Sequence, residues 1–249
     1  MPDELLVLRG VSKTFRSAGW GRAEACAALR DVSLTVSRGE AIAVVGPSGS
    51  GKSTLARCAA GFELPDSGEI TRRCGSGQIQ LIFQQPAASL NPRFRAREVL
   101  EEPLVIQKRD RTGAAERAME LVGLPGGAID RRALEFSGGE RQRLAIARAL
   151  VLEPALLILD ESFAGLDGRL QEQMAHLLRE LQERLGLAYL LISHDLELVS
   201  SLASRLVVME RGAIVEQGWK AEVLAAPRQP LTRDLIEAAR VLAFEGGGR

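Results

Sequence analysis

No charge of either sign prevails in this sequence of 249 residues, in which 32 Lys and Arg balance 32 Asp and Glu. A chain without net charge has no global pull toward nucleic acid or anionic lipid. Nor is there an apolar stretch of membrane-spanning length. The longest uncharged run, Cys74 to Pro92, carries four Gln, two Pro, an Asn and two Ser, too polar for a bilayer core. Leu5 to Leu8 is short and lies beside Asp3 and Glu4, so this run is not expected to be a signal peptide. The cysteines, Cys26, Cys58 and Cys74, are odd in number and widely spaced. They make neither a disulfide framework nor a metal cluster, and a reducing, cytosolic compartment is expected. What is present is a globular mix, 46% apolar and 26% charged, sized for one large domain or a domain with a smaller lobe.

Apolar runs alternate with helical periodicity along the chain. Leu5 to Leu8 reads as a strand, and Val32, Leu34 and Val36 alternate with Ser33 and Thr35 as in a half-buried one. A polar loop from Arg16 to Glu24 separates them. Ala41 to Val45, ending at Gly46, reads as a strand buried on both faces. A helix is expected from Ser53 to Ala60, stopped by Gly61. Residues 93–135 are rich in Arg, Glu, Ala and Leu, with Pro103 and Pro125 as punctuation, and read as a helical subdomain. Leu156 to Leu159 and Leu187 to Ser193 are further buried strands. Between them, Leu170, Met174, Leu177, Leu178, Leu181 and Leu185 mark one helix face. Leu206 to Met209 and Ala213 to Gln217 flank a hairpin turn, and Leu231, Leu235, Ala238 and Leu242 return to helical spacing. The alternation predicts an α/β fold, mostly parallel, with a helical insertion near residues 90–150.

Three motifs carry chemistry. Gly46-Pro47-Ser48-Gly49-Ser50-Gly51-Lys52-Ser53, with Thr54 following, fits the phosphate-loop pattern between a strand and a helix start. Its glycines let backbone N–H groups face phosphate oxygens, and the helix N-terminus adds its positive end. Lys52 can reach the β- and γ-phosphates and the Ser53 hydroxyl can ligate Mg²⁺. The strand Leu156 to Leu159 ends in Asp160 and Glu161. Asp160 at such an edge can hold Mg²⁺ through water, and Glu161 can orient and deprotonate an attacking water. Ser137-Gly138-Gly139-Glu140 opens a helix and offers a second anion cradle. Read alone, the last two motifs also suit a solvated strand end and a flexible helix cap.

With Ser193-His194-Asp195, these motifs resemble in order and spacing the ATP-binding subunits of ABC transporters, over nearly the whole chain. The resemblance implies a P-loop NTPase core with a mostly parallel sheet, an N-terminal antiparallel β lobe and a helical signature subdomain. All would form one nucleotide-binding domain, 1–249, with the helical subdomain near 90–150 and a helical tail near 219–249. It implies that Gln84 touches Mg²⁺ and water, that Asp167 is the D-loop aspartate, and that His194 contacts the γ-phosphate. Phe15 falls where an aromatic ring stacks on adenine. The implied cofactors are ATP and Mg²⁺, with Ser53, Gln84 and Asp160 as metal contacts. Each ATP would lie between one phosphate loop and the other subunit's Ser137–Glu140 signature. The implied partners are a second ATP-binding subunit, identical or different, two membrane-spanning permease subunits and an extracytoplasmic solute-binding protein, with no nucleic acid. The place is the cytoplasmic face of the membrane.

Phe83-Gln84-Gln85-Pro86, Ser89 to Arg93, Glu102-Pro103-Leu104 and the tail Pro227 to Arg233 are similar to the dipeptide, oligopeptide and nickel importer ATPases. The compact length leans toward nickel or metal-chelate members. Phe136 and Glu140 stand where Leu and Gln are commonest, and the segment from Ile70 to Ile79 is short. An exporter ATPase, a soluble nucleotide kinase and a non-transport ABC protein are the rival readings. The stretch from Gln85 to Pro103, whose Pro and Asn favour a loop and break any helix, is expected to form a groove for a membrane-subunit helix from Arg93, Arg95 and Arg97 with Leu90, Phe94 and Leu100.

Overall fold

The computed structural model describes residues 3–16, 25–75, 77–193, 196 and 201–246, with side chains described as far as residue 240. The chain divides into two compact units, residues 1–73 with 188–249 and residues 74–187.

In the first unit, β1 (Glu4–Arg16) pairs antiparallel with β2 (Ala25–Ser37), with Leu8 opposite Leu34 and Val11 opposite Val32. Its other edge pairs with β4 (Ser67–Arg72), giving the order β2-β1-β4. This is the expected antiparallel lobe. Both long strands outrun their apolar runs, because the ladder continues through exposed residues such as Arg16 opposite Ala25. In the short segment after Ile70, the arginines tie β4 to its surroundings. Arg72 donates from Nε to the Ala59 carbonyl at 2.9 Å and from Nη2 to that of Cys58 at 2.5 Å. Arg73 pairs with Glu4 at 3.2 Å.

A second sheet runs β7 (Ala188–Ile192), β3 (Ala41–Val45), β8 (Arg205–Glu210), β9 (Ala213–Trp219). β3 lies parallel to β7 and β8, and every residue of β3 and β7 is buried. β8 and β9 are antiparallel across Arg211 and Gly212, whose φ values of 47° and 86° suit a tight primed turn. Helix α1 (Lys52–Ala60) follows β3. After β9 come α6 (Lys220–Ala225) and α7 (Pro230–Gly246). The Glu216 carboxylate of β9 fastens the start of α7. It accepts from the backbone N–H groups of Arg228 at 2.9 Å and Gln229 at 3.0 Å, and from the Thr232 hydroxyl at 2.6 Å.

In the second unit, β5 (Ile79–Ile82) runs parallel to β6 (Leu156–Asp160). Four helices accompany them: α2 (Ala96–Ile106), α3 (Ala114–Leu121), α4 (Gly138–Leu150) and α5 (Gly168–Leu185). Helix α5 buries Met174, Leu177, Leu178 and Leu181 of the expected face, while Leu170 is half-buried in its first turn and Leu185 at its end is exposed. The expected loop through residue 103 is corrected. After a single turn at Pro86–Ser89, α2 begins at Ala96 and contains Pro103. Proline removes one interior hydrogen bond, but it falls in the last turns, and buried Val99, Leu100 and Leu104 hold the helix in place.

Candidate functional site

Residues 46–51 turn sharply from β3 into α1, and the turn leaves no room for side chains at two points. A Cβ on Gly46 would sit 2.2 Å from the Met209 carbonyl oxygen. One on Gly51, whose φ is +102°, would sit 2.2 Å from that of Ala28. Both distances are far inside van der Waals contact, so backbone alone fits. Helix α1 begins after Gly51 with no side-chain cap and no acidic residue in its first turn, which turns its positive end toward an anion. The Lys52 side chain, 5% exposed, curls back over the loop. Its Nζ donates to the carbonyls of Gly46 at 2.8 Å and Pro47 at 2.9 Å. Ser50 Oγ is buried with no hydrogen-bond partner among the described residues, while its backbone carbonyl accepts from Gly212 N–H at 3.0 Å. A buried unpaired hydroxyl inside a glycine turn that also presents a lysine and a bare helix start suits a phosphate.

The neighbouring strand β7 ends beside β3, with Ser193 N–H donating to the Val44 carbonyl at 3.3 Å. His194 and Asp195, next in sequence, lie outside the described residues. Phe15 is 38% exposed on β1, with Lys13 Nζ 5.5 Å from its ring centre. Lys13 is itself held by Glu63 at 2.8 Å and Asp66 at 3.3 Å. The ring thus has an open face, as stacking requires.

In the second unit, the parallel strands β5 and β6 deliver Gln84 and Glu161 to one another. Gln84 Nε2 lies 3.5 Å from Glu161 Oε2, though 77 positions separate them in sequence. Asp160, the last residue of β6, is buried. Glu161 has a left-handed backbone, φ 48°, and its carbonyl accepts from Ala164 N–H at 3.1 Å. Such a conformation is uncommon for a residue other than glycine and persists only where its surroundings hold it.

Ser137 caps α4. Its N–H donates to Glu140 Oε2 at 2.8 Å and its Oγ accepts from Glu140 N–H at 3.3 Å. In this reciprocal box, the Ser137 backbone N–H holds the Glu140 carboxyl below its ordinary value. Glu at this position therefore fits the helix start, where negative charge is favoured. Asp167 caps α5 in a similar way, with Oδ1 accepting from Leu170 N–H at 2.9 Å. The two starts touch: a Cβ on Gly139 would lie 2.8 Å from Leu170 Cδ2. Sequence reasoning overlooked Gln142 and Ser162, both buried polar residues bonded to each other. The available signal was a glutamine on the apolar stripe of α4, four positions before Ile146.

Among the described residues no helix is long and apolar enough to cross a membrane. Residues 29–164 match the ABC transporter family. A Brucella ovis protein named as a peptide import ATP-binding protein is 41% identical over 251 residues, covering 94% of this chain and 78% of that one. The D,D-dipeptide transport ATP-binding protein DdpF of Escherichia coli is 41% identical over 96% of this chain and 80% of its own. Among solved structures, the ATP-binding cassette MJ0796, a dimer in a post-hydrolysis state bound to ADP and Pi, aligns with a TM-score of 0.72 and 28% identity. That match covers 86% of this chain and 98% of the cassette. The cbiO1 protein of Clostridium perfringens, part of the transporter complex cbiONQ, aligns at 0.76 with 26% identity, over 95% and 99%. A glycine cradle ahead of a bare helix start and a strand-end acid beside a glutamine are thus found on the matching fold, and the chain belongs to the ABC transporter family as an ATP-binding, ATP-hydrolysing subunit.

Proposed function

We propose that this ATPase drives peptide import through separate membrane-spanning subunits, and that the residues above divide the work as follows. Residues 46–54 bind the phosphates of ATP, Lys52 supplying the positive charge and the N–H groups of α1 the rest. Phe15 stacks on the adenine. Glu161 accepts a proton from the water that attacks the γ-phosphate, and Gln84 positions that water. His194, which lies outside the described residues, contacts the γ-phosphate. The 3.5 Å approach of Gln84 to Glu161 carries this reading, because a base and a water-orienting amide must share one small volume.

The donor chemistry suits Mg²⁺. No group of three or more His, Cys, Asp and Glu among the described residues could hold a metal by itself. Mg²⁺ is characteristically held by one or two protein oxygens together with substrate phosphates. The Ser53 hydroxyl, the Asp160 carboxylate and the Gln84 amide oxygen are hard donors of that kind. When bound, Mg²⁺ supplies charge neutralisation at the phosphates.

Ser137–Glu140 and Asp167 face a second ATP-binding subunit, where Ser137 reaches that subunit's nucleotide. The permease docks at a groove of about 450 Å³ whose lining includes Gln85, Ala87, Ala88, Pro92 and Leu134. This revises the composition expected from sequence. Of the expected residues Leu90 is among the lining, whereas Leu100 is a core residue, and Arg95 and Arg97 are paired with Asp130 and with Glu101 and Glu116. The subunit then works at the cytoplasmic face of the membrane with an extracytoplasmic solute-binding protein. Relatives named for peptide support peptide rather than nickel or metal-chelate cargo.

The test is reconstitution with the permease and solute-binding protein in vesicles. Glu161→Gln should bind ATP yet hydrolyse it about 10²- to 10⁴-fold more slowly, and ATP-driven peptide uptake should stop with it. Near-normal turnover would refute the base assignment. Uptake of nickel but not of peptides by the unaltered complex would refute the cargo.

A further inference from the structure

Helix α4 carries an inward-facing polar residue that nucleotide contact does not explain. Gln142 is 3% exposed among Leu144, Ala145 and Ile146. Its Nε2 donates to the Ser162 carbonyl at 2.7 Å. Ser162, 4% exposed, donates its hydroxyl to the Ile82 carbonyl at 2.9 Å. Ser162 directly follows Glu161, and Ile82 stands two residues before Gln84. One buried chain of hydrogen bonds therefore runs from the helix that begins at Ser137, through the residue after Glu161, to the end of β5. Further along α4, Arg148 donates to the Ser89 carbonyl at 3.2 Å and to its hydroxyl at 2.9 Å. That second tie holds the short turn that follows Gln84.

These bonds sit where the backbone needs them. Glu161 is left-handed at φ 48°, a conformation the surroundings must impose. Ser162 is gripped on both its carbonyl and its hydroxyl, so its backbone is fixed against two elements at once. Buried bonds of this kind resist breakage, because a lost partner leaves a polar atom unsatisfied away from water.

We propose that Gln142 and Ser162 are positioning residues for ATP hydrolysis. They hold the backbone at 161–162 against α4, which keeps the Glu161 carboxylate beside Gln84. The proposal rests on Glu161 being the base. It also gives α4 a mechanical role: a shift of its Ser137 end is delivered to Glu161 through Gln142.

The assay compares Gln142→Met and Ser162→Ala, each alone and combined with Glu161→Gln, in the assembled transporter. ATP binding and thermal stability are measured on the isolated subunit. Gln142→Met should lower kcat about 10- to 100-fold, the scale of a small misplacement at a reacting centre, with KM within about 2-fold. Ser162→Ala, which removes one bond and little volume, should lower kcat about 3-fold with ATP binding intact. Neither should slow the Glu161→Gln variant further, since the group through which they act is gone. Additive slowing in that background, or unchanged kcat in both single variants while Glu161→Gln is inactive, would overturn the positioning role alone. Near-normal turnover of Glu161→Gln by itself would overturn the base assignment and this proposal with it. If Gln142→Met fails to fold, Ser162→Ala carries the same comparison.

Discussion

Replacing Glu216 by Ala removes three hydrogen bonds at one stroke, and their geometry sets the size of the effect. The carboxylate accepts from Arg228 N–H, Gln229 N–H and the Thr232 hydroxyl at 2.9, 3.0 and 2.6 Å. The two backbone donors are exposed and regain water, so each contributes little. Thr232 is 1% exposed, and its hydroxyl left without a partner costs about 1–3 kcal/mol. Adding the weakened charge at the start of α7, about 0.3–1 kcal/mol, gives a total of about 1.3–4 kcal/mol for Glu216→Ala. At about 2–4 °C per kcal/mol for a chain of this size, the transition temperature should fall by roughly 3–16 °C. Thr232→Val added to Glu216→Ala should recover about 1 kcal/mol, since no hydroxyl is then stranded. The effect also depends on pH. Partial burial pushes the Glu216 carboxyl up, but the Thr232 hydroxyl and the two backbone N–H groups outweigh it, and the net value lies below the ordinary one. A lowered folded value means stability that is present above the unfolded carboxyl's titration, near about pH 4.3, and lost as pH falls through the folded value. Hydrogen exchange should show α7 losing protection in Glu216→Ala at neutral pH, and in the unaltered protein only under acid. A change below about 0.5 kcal/mol, the scale of an ordinary surface substitution, would refute the reasoning.

The cradle can be tested by steric means. Gly51→Ala forces a Cβ to within 2.2 Å of the Ala28 carbonyl at a φ of +102°. ATP binding by the isolated subunit, measured by calorimetry, should fall by more than about 10-fold; retained affinity would show that the turn does not hold phosphate. Lys52→Ala should likewise weaken binding, because the phosphates lose their nearest cation. Ser137→Arg should leave that binding intact yet abolish hydrolysis in the assembled complex. Equal loss of binding in Lys52→Ala and Ser137→Arg would contradict a site shared between two subunits.

Much of this architecture is visible in sequence because its signals are local. The runs Ala41 to Val45 and Leu156 to Leu159 are wholly buried strands, as unbroken apolar stretches should be. The phosphate loop is legible for the same reason, since its glycines and lysine are contiguous. Non-local facts were not legible. The outer part of β1 has no apolar alternation and is a strand only because β2 pairs with it. The bonds from Arg72 to the carbonyls of Ala59 and Cys58 at the end of α1 join residues 13 and 14 positions apart and leave no local pattern. Helix α2 runs through Pro103 because buried neighbours outweigh one lost bond. At the candidate site, Glu161 was identifiable from its strand end, whereas Gln142 acts through a residue 20 positions away.

The contact between Gly139 and Leu170 bears on how the sequence can drift. A side chain at 139 meets Leu170 Cδ2 at 2.8 Å, on the helix that Asp167 caps. A side chain at 139 therefore requires the Leu170 tip to move, so the two helix starts share one small space. Substitution at 139 and at 170 should then be correlated across descendants of this chain. A methyl group gained at the first position is accommodated where the Leu170 side chain turns aside or where the second position has shed its branched end. Two segments that look like separate motifs on the page are, for inheritance, a single locus.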